Sequence, residues 1–173
     1  RPRASVGRRL FGNPDELFLQ SKPKRGLLTP AEVRSMALAE MDLGASSIVW
    51  DIGAGSGSVA VEASQIASAG EGYAVEMDAE DFSLIGENAE RFGARNVFPV
   101  LGRAPEAWEN LPDPDAIFVG GTGRQIQQIV KQAFGRLRPG GRLVACVGSP
   151  DNLCEVMATL NQEGGDANCW MIQ

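Results

Sequence analysis

The residues of this chain best suited to chemistry lie in one stretch, Val49-Trp-Asp-Ile-Gly-Ala-Gly-Ser-Gly57, which joins an apolar run to an acid and a glycine loop. Glycines are needed where a Cβ atom would block a tight turn and the close approach of the backbone to a ligand. We predict that a strand ends at Trp50 and that the loop leads into a helix beginning near Ser58. Asp51 would repel a pyrophosphate, but it suits a ligand that carries positive charge.

The spacing of the glycines distinguishes two kinds of ligand. A dinucleotide fingerprint reads G-x-G-x-x-G, and Ser58 stands where its third glycine belongs. The pattern D-x-G-x-G-x-G is instead typical of sites for S-adenosylmethionine, which bears an ammonium and a sulfonium. We therefore predict S-adenosylmethionine as cofactor and S-adenosylhomocysteine as its product. The residues predicted to hold it here are Asp51, Gly53, Ala54, Gly55 and Gly57. A nucleotide-binding module or an NAD-dependent enzyme is the alternative, against which Asp51 and the missing glycine argue.

Further candidate cofactor-binding residues lie at the carboxyl ends of the second and third predicted strands. Glu76 lies about 20 residues after the glycine loop, where an acid can take both ribose hydroxyls; the alternative is a solvated acid. Met77 is expected either to pack on the adenine or to lie in the core. The backbone of Arg103 and Ala104 is placed to meet the adenine amine. The side chain of Arg103 is either a substrate contact or a surface charge.

Two more segments border the predicted site. Gly120-Gly-Thr-Gly123 follows the fourth predicted strand, where the transferred methyl should lie. Gly120 is predicted to contact the cofactor, and the segment is either an open floor for a large flat substrate or simply a flexible turn. Thr29 precedes Pro30 in a Thr-Pro-Ala-Glu capping box that opens a helix. It either lies over the cofactor as part of a lid or serves only as the cap.

Composition excludes several classes of protein. The chain has 173 residues, 43% hydrophobic and 22% charged, as expected of one globular domain. It has no histidine and three cysteines, which argues against hydrolase triads and metal sites and favours reduced, mostly buried thiols in a cytoplasmic protein. No apolar run suits a membrane span or a signal peptide.

Charge is distributed unevenly along the chain. Residues 1–25 carry seven basic and two acidic residues, whereas the whole chain has a net charge of −6. We predict a basic leader or interdomain linker over 1–25 and a catalytic domain over 26–173. The leader is either solvated or gathers a polyanionic substrate with Lys22, Lys24 and Arg25. The acidic body argues against nucleic acid as a partner.

The remaining pattern alternates helices and strands, which predicts a doubly wound α/β fold with a mostly parallel sheet. Trp50 and Trp108 are expected in its core. The predicted strands are Ser47–Trp50, Tyr73–Glu76, Val97–Leu101, Ala116–Val119, Leu143–Val147 and Ala167–Gln173. The predicted helices are Pro30–Met41, Ser58–Ala69, Ala79–Phe92, Pro105–Glu109, Arg124–Leu137 and Pro150–Glu163.

Three stretches together resemble a known family: Leu28-Thr-Pro-Ala-Glu-Val-Arg34, Val49–Ala63, and Pro112-Asp-Pro-Asp-Ala-Ile-Phe-Val-Gly-Gly-Thr-Gly123. They are similar to the decarboxylating precorrin-6Y methyltransferases of cobalamin biosynthesis, and specifically to their C-terminal domain, over about residues 12–173. The chain departs from the family pattern at Pro30, where members usually carry lysine. The family's final antiparallel strand is expected to be missing or incomplete.

The resemblance implies a Rossmann-like class I methyltransferase. It implies methylation of carbon 15 of a polycarboxylate tetrapyrrole, with decarboxylation of the ring C acetate, in a homotetramer. The leader would follow an N-terminal methylase domain. Candidate substrate contacts are Arg124, Arg103 and Lys24, and no catalytic side chain is predicted. Action on another small molecule or a protein is the alternative.

Overall fold

Five parallel strands form the sheet in the part of the chain that the structure describes. The computed structural model describes residues 9–21, 28–121 and 125–172. The strands are β1 (Ile48–Ile52), β2 (Glu71–Glu76), β3 (Val97–Leu101), β4 (Ala116–Val119) and β5 (Arg142–Ala145). The helices are α1 (Ala31–Glu40), α2 (Ser58–Ile66), α3 (Ala79–Phe92), α4 (Ile126–Arg136) and α5 (Pro150–Gln162), with 3-10 turns at Asp15–Leu17 and Glu106–Trp108.

The strand order is β3-β2-β1-β4-β5, and all neighbouring pairs are parallel. The chain winds outward from β1 to β3, then crosses to β4 and winds the other way. The predicted doubly wound sheet is therefore confirmed, and its winding reverses between β1 and β4. Ligands in such sheets bind at the carboxyl ends of the strands next to this reversal.

Helices cover both faces of the sheet, which explains the nearly continuous apolar strands. Helices α1, α2 and α3 pack on one face. On the other face lie α4, α5 and the turn around Trp108, whose ring stacks on Trp50 with centroids 5.6 Å apart. Both tryptophans are buried, so their predicted place in the core is confirmed.

Local signals set several helix ends. Asp78 caps α3 by accepting hydrogen bonds from the backbone N–H groups of Glu80 and Asp81, at 2.9 and 3.2 Å. Gly93 ends the same helix with a φ of +71°, a conformation that glycine adopts without a steric penalty. Both ends lie where the sequence predicts them.

The strand carrying the predicted acid is longer than expected. β1 continues past Trp50 to Ile52, and Asp51 pairs through its backbone with Ala74 on β2 and Phe118 on β4. The prediction that the strand stops at Trp50 is wrong because hydrogen bonding from both neighbours extends it to the first glycine. Asp51 is consequently part of the sheet, with its side chain beneath α2.

Three other expectations are wrong. Residues 167–172 are not a strand of the described sheet, which ends at β5, and Trp170 and Met171 are exposed. Helix α1 begins at Ala31 with Pro30 as its N-cap and makes no side-chain cap bond, so Thr29 does not cap it. The cysteines are not mostly buried: Cys154 and Cys169 are exposed and Cys146 is half-buried.

The described part of the predicted leader lies on the domain. Asn13 and Phe18 are buried, and Phe18 stacks on Phe92 of α3 with ring centroids 4.4 Å apart. Residues 9–21 therefore contribute to the core that supports the site. Their role as a link to another domain stays a prediction.

Candidate active site

The glycine loop begins at the carboxyl end of β1, where the winding of the sheet reverses. Gly53 has a φ of +73°, and a Cβ at this position would collide with the carbonyl oxygen of Gly120 after β4. The N–H groups of Gly53 and Ala54 both donate to the carbonyl of Val75, at 3.0 and 3.1 Å. The loop is thereby held across the end of the sheet at a position that only glycine fits.

Gly57 has a packing role, and its predicted contact with the cofactor stays a prediction. It has a φ of +83° at the N-cap of α2, and a Cβ there would lie 2.9 Å from Cγ2 of Ile85 on α3. Unlike the other predicted members of the loop, it does not line the cavity described below. Its lack of a side chain allows α2 and α3 to pack closely.

Asp51 is a buried carboxylate in which only one oxygen accepts a hydrogen bond from the described residues. The residue is 1% exposed, and its Oδ2 accepts a hydrogen bond from the N–H of Ala60 at 2.9 Å. Its Oδ1 has no hydrogen-bond partner among the described residues. Burial raises the pKa of Asp51 to about 7, the Ala60 N–H opposes this rise, and the charge of Glu76 adds to it. A cation beside Oδ1 would pair with it and favour its ionised form.

The environment of Cys146 disfavours ionisation of its thiol. Cys146 follows β5 and is half-buried. Burial first, and then the charge of Asp51, raise the pKa of the Cys146 thiol. A raised pKa disfavours the reactive thiolate, so Cys146 is not suited to nucleophilic catalysis.

Glu76 ends β2 and faces the glycine loop. Its Oε2 accepts from the N–H of Gly55, and its Oε1 accepts from the N–H groups of Met77 and Asp78, all at 2.8 Å. Three backbone donors fix the carboxylate at the rim of the site and tie the loop to the start of α3. The acid is therefore held in one orientation before any ligand arrives.

These groups line a cavity of about 480 Å³, a typical volume for a small-molecule site. Ten of the predicted cofactor-binding residues contribute to it: Thr29, Asp51, Gly53, Ala54, Gly55, Glu76, Met77, Arg103, Ala104 and Gly120. Two predicted substrate contacts, Lys24 and Arg124, lie outside the described residues.

The exposed side chains around the rim exclude a core position for Met77 and leave both predictions for the side chain of Arg103 open. Met77 is 62% exposed, so it is not a core methionine, and it lines the cavity. Arg103 is also exposed and lines the cavity. It therefore has the access that a substrate contact requires.

Several lining residues were missed by the sequence reasoning: Gln20, Ser21, Ser56, Asp78, Asp81 and Gln125. Gln20 and Ser21 reach the site through tertiary packing that no local pattern signals. The position of Asp81 could have been inferred from the sequence, because helical spacing places it on the buried face of α3 with Ile85, Asn88 and Phe92. A carboxylate in such a stripe points to a polar environment inside.

The sequence matches the family model of the precorrin methyltransferase domain over residues 23–171. The chain belongs to this family. The match covers the glycine loop, Glu76 and Arg103, and thus the whole strand-end rim of the cavity.

Individual members of the precorrin methyltransferase family agree with this assignment. A protein of Pyrobaculum calidifontis, named probable cobalt-precorrin-6B C(15)-methyltransferase (decarboxylating), is 41% identical over 157 residues, covering 90% of this chain and 79% of its own. The crystal structure of precorrin-6y C5,15-methyltransferase from Geobacter metallireducens matches with a TM-score of 0.83 at 35% identity, covering 90% of this chain and 81% of that one. The C-terminal domain of precorrin-6Y C5,15-methyltransferase from Rhodobacter capsulatus matches with a TM-score of 0.77 at 30% identity, covering 92% and 83%.

The predicted resemblance is therefore confirmed, and the fold is the Rossmann-like fold of class I S-adenosylmethionine-dependent methyltransferases. Within the described ranges, no helix is long and apolar enough to cross a membrane. Residues 9–21, 28–121 and 125–172 also contain no group of three or more potential ligands arranged to hold a metal ion.

Proposed function

We propose that this protein transfers a methyl group from S-adenosylmethionine to carbon 15 of precorrin-6Y and promotes loss of carbon dioxide from the ring C acetate. The observation that carries the proposal is Asp51, a buried carboxylate with an unpaired oxygen beneath a glycine loop, in a chain of the precorrin methyltransferase family. The named activities of its relatives supply the substrate class.

The cavity suits S-adenosylmethionine better than a dinucleotide. Asp51 would bind the positive end of the ligand and Glu76 the ribose hydroxyls, with Gly53, Ala54 and Gly55 giving the ligand close access to the backbone. Met77 and Ala104 would flank the adenine. A pyrophosphate would meet four lining carboxylates, those of Asp51, Glu76, Asp78 and Asp81, and like charges repel.

The bound cofactor would supply an electrophilic methyl group on a sulfonium. Transfer from such a group needs alignment more than proton transfer, so the protein contributes mainly by positioning the reactants. The lack of histidine is compatible with this chemistry because the proposed nucleophile is an electron-rich macrocycle carbon. For decarboxylation, the protein would keep the reacting carboxylate away from water.

A polycarboxylate substrate would have to avoid the acidic part of the cavity. Among the described lining residues, Arg103 is the one cation, so the proposed entry lies on its side of the rim. Lys24 and Arg124 are proposed as further contacts from their positions in the sequence. These side chains would grip carboxylate arms and leave the reacting face free.

Three features of the whole protein remain part of the proposal: a cytoplasmic location, a homotetramer, and fusion to an N-terminal methylase domain through residues 1–25. The fusion is supported by the relative of Rhodobacter capsulatus described as a C-terminal domain. Light scattering of the purified chain tests the tetramer, because a monomeric mass would contradict it.

Isothermal calorimetry tests the proposed cofactor. S-adenosylhomocysteine should bind, whereas NAD should give no heat of binding under the same conditions. NAD binding, or no binding of S-adenosylhomocysteine, would contradict the proposed function.

A further inference from the structure

A buried ion pair lies behind the cavity without lining it. Arg34 projects from α1 and Glu62 from α2, both are 0% exposed, and Nε of Arg34 donates to Oε2 of Glu62 at 3.0 Å. Neither residue contributes to the catalytic proposal above. Burying two charges carries a desolvation cost that an apolar pair would avoid, so stability alone gives a weak reason for this pair.

The guanidinium of Arg34 joins two separate segments of the chain. Its Nη2 donates to the carbonyl of Asn13 at 2.5 Å, and its Nη1 donates to Oδ1 of Asp15 at 3.2 Å. The same Nη1 also donates to the carbonyl of Thr29 at 2.6 Å. One planar group therefore fixes the segment before residue 21 and the segment after residue 28 relative to each other.

Glu62 holds the first of these segments from the other side. Its Oε2 accepts from the N–H of Gly12 at 2.9 Å, and its Oε1 accepts from the N–H and the side-chain amide of Asn13, both at 2.8 Å. The carboxylate thus spans from Arg34 to the backbone of residues 12 and 13. Both oxygens of the Glu62 carboxylate therefore accept hydrogen bonds, and the position of each partner depends on the positions of the others.

The two segments end in the wall of the cavity. Gln20, Ser21, Leu28 and Thr29 all line it, and these four residues are referred to below as the wall. Leu28 also packs in the cluster that contains Ala54 of the glycine loop. The carbonyl of Thr29, held by Arg34, belongs to the wall itself.

A second buried side chain ties Leu19, the residue before the wall, to the glycine loop. Asn88 on α3 accepts from the N–H of Leu19 at 2.8 Å and donates to the carbonyl of Ser56 at 2.8 Å. Asn88 therefore links the glycine loop to Leu19, which precedes Gln20 of the wall, and Arg34 links Thr29 of the wall to Glu62 on α2. A displacement at either point would alter the space between wall and loop.

We infer that Arg34 is a positioning residue that holds the wall over the glycine loop and thereby sets the affinity for the cofactor. The inference rests on the proposed function, because it takes S-adenosylmethionine as the occupant of the cavity. Its physical basis is preorganisation: a wall already in place need not be ordered when the ligand binds.

The test compares Arg34→Lys with wild type in titrations with S-adenosylhomocysteine, well below the unfolding temperature of each protein. Lysine retains one charge for Glu62 but lacks the planar fork that reaches Asn13 and Thr29. The dissociation constant should rise roughly tenfold. Hydrogen exchange of the backbone at residues 28–30 should become faster in the ligand-free variant.

Arg136→Lys is the matched control. Arg136 also uses its guanidinium as a fork, donating to Asp113 at 2.7 Å and to the carbonyl of Leu111 at 2.8 Å, and it lies over the ring of Trp50. It contacts no wall residue in the described structure. This variant should lose stability and keep wild-type affinity for S-adenosylhomocysteine.

The outcomes separate the two proposals. If wild type binds and Arg34→Lys binds equally well, the positioning role is overturned while the proposed cofactor stands. If wild type does not bind S-adenosylhomocysteine, both the proposed function and the positioning role are contradicted.

Asp15→Asn is the substitute variant if Arg34→Lys fails to fold, because the Asp15 side chain is 37% exposed. A folded Asp15→Asn protein should bind more weakly than wild type, and equal binding would overturn the inference.

Discussion

Asp51 is the residue on which recognition of a cationic ligand depends, and its pKa gives that recognition a pH dependence. Its pKa is raised from 3.8 to about 7 in the folded protein, mainly by burial. A ligand ammonium prefers the ionised carboxylate, so affinity for S-adenosylhomocysteine should fall as the pH drops through about 7. Titrations across this pH range check the prediction, and Asp51→Asn should remove the pH-dependent step. A wild-type affinity that does not vary with pH would contradict it.

The same raised pKa affects stability in the opposite sense. Between pH 3.8 and about 7 the folded state binds more protons at Asp51 than the unfolded state. The stability that this proton provides is therefore lost as the pH rises through about 7. At pH values above 7, ligand-free Asp51→Asn should be more resistant to urea than wild type. The exposed control Asp166→Asn should match wild type, and a less stable Asp51→Asn would refute the prediction.

Glu76 is predicted to recognise the ribose hydroxyls. Glu76→Gln should weaken S-adenosylhomocysteine binding roughly tenfold, because an amide is a poorer acceptor than a carboxylate. An analogue that lacks one ribose hydroxyl should bind wild type more weakly than S-adenosylhomocysteine does. In Glu76→Gln, removal of the same hydroxyl should cost little affinity. Calorimetry on the four combinations measures this coupling. Purely additive losses would mean that Glu76 does not contact the hydroxyl.

At the scale of the elements, Gly57 is needed for the packing of α2 against α3. Gly57→Ala should lower the free energy of unfolding by about 2 kcal/mol, through its positive φ and the contact with Ile85. Gly86→Ala is the control, since a Cβ at this exposed position of α3 meets nothing within 4 Å. It should raise stability by about 0.5–1 kcal/mol. Urea unfolding measures both, and equal effects would disprove the packing role.

The bounds of the strands and helices show which parts of the fold the sequence predicts. Strands β3 and β4 and helix α3 have the predicted bounds, because their signals are local: apolar runs, the Asp78 cap and the Gly93 stop. The end of β1 was missed because hydrogen bonds from β2 and β4 extend it. No strand forms over 167–172 of the predicted final strand, because an apolar run alone does not specify a place in the sheet.

The site was predictable to a similar degree. Its strand-end residues follow from the parallel sheet, since each predicted strand delivers its last residues to the same edge. Thr29 was placed beside the cofactor from the sequence, but Gln20 and Ser21 of the wall were not predictable. The position of their segment depends on contacts such as Arg34 with Glu62 and Asn13 with Glu62, which join residues far apart in the sequence. No local pattern encodes such pairs.

At the scale of the whole molecule, the distribution of charge sets how an anionic substrate approaches. Arg103 is the exposed cation on an otherwise acidic described cavity rim. Arg103→Gln should raise the KM for the tetrapyrrole severalfold, and the difference from wild type should shrink at high salt because screening weakens exposed charges. Affinity for S-adenosylhomocysteine should stay unchanged. Steady-state kinetics at two salt concentrations measure these effects.

Arg95→Gln is the matched control for that experiment. Arg95 is exposed and precedes β3, so it lies at the opposite end of the sheet from the cavity. It carries the same charge, and its loss should leave KM unchanged. Equal effects of the two substitutions would indicate a general charge effect and would argue against a contact at Arg103.

The proposed reaction is tested most directly by mass spectrometry of precorrin-6Y incubated with this protein and S-adenosylmethionine carrying an isotopically labelled methyl group. We expect a product that has gained one labelled methyl and lost one carbon dioxide. Gain of the methyl alone would contradict the decarboxylating half of the reaction. An unchanged tetrapyrrole, in the presence of protein that binds S-adenosylhomocysteine, would contradict the proposed substrate.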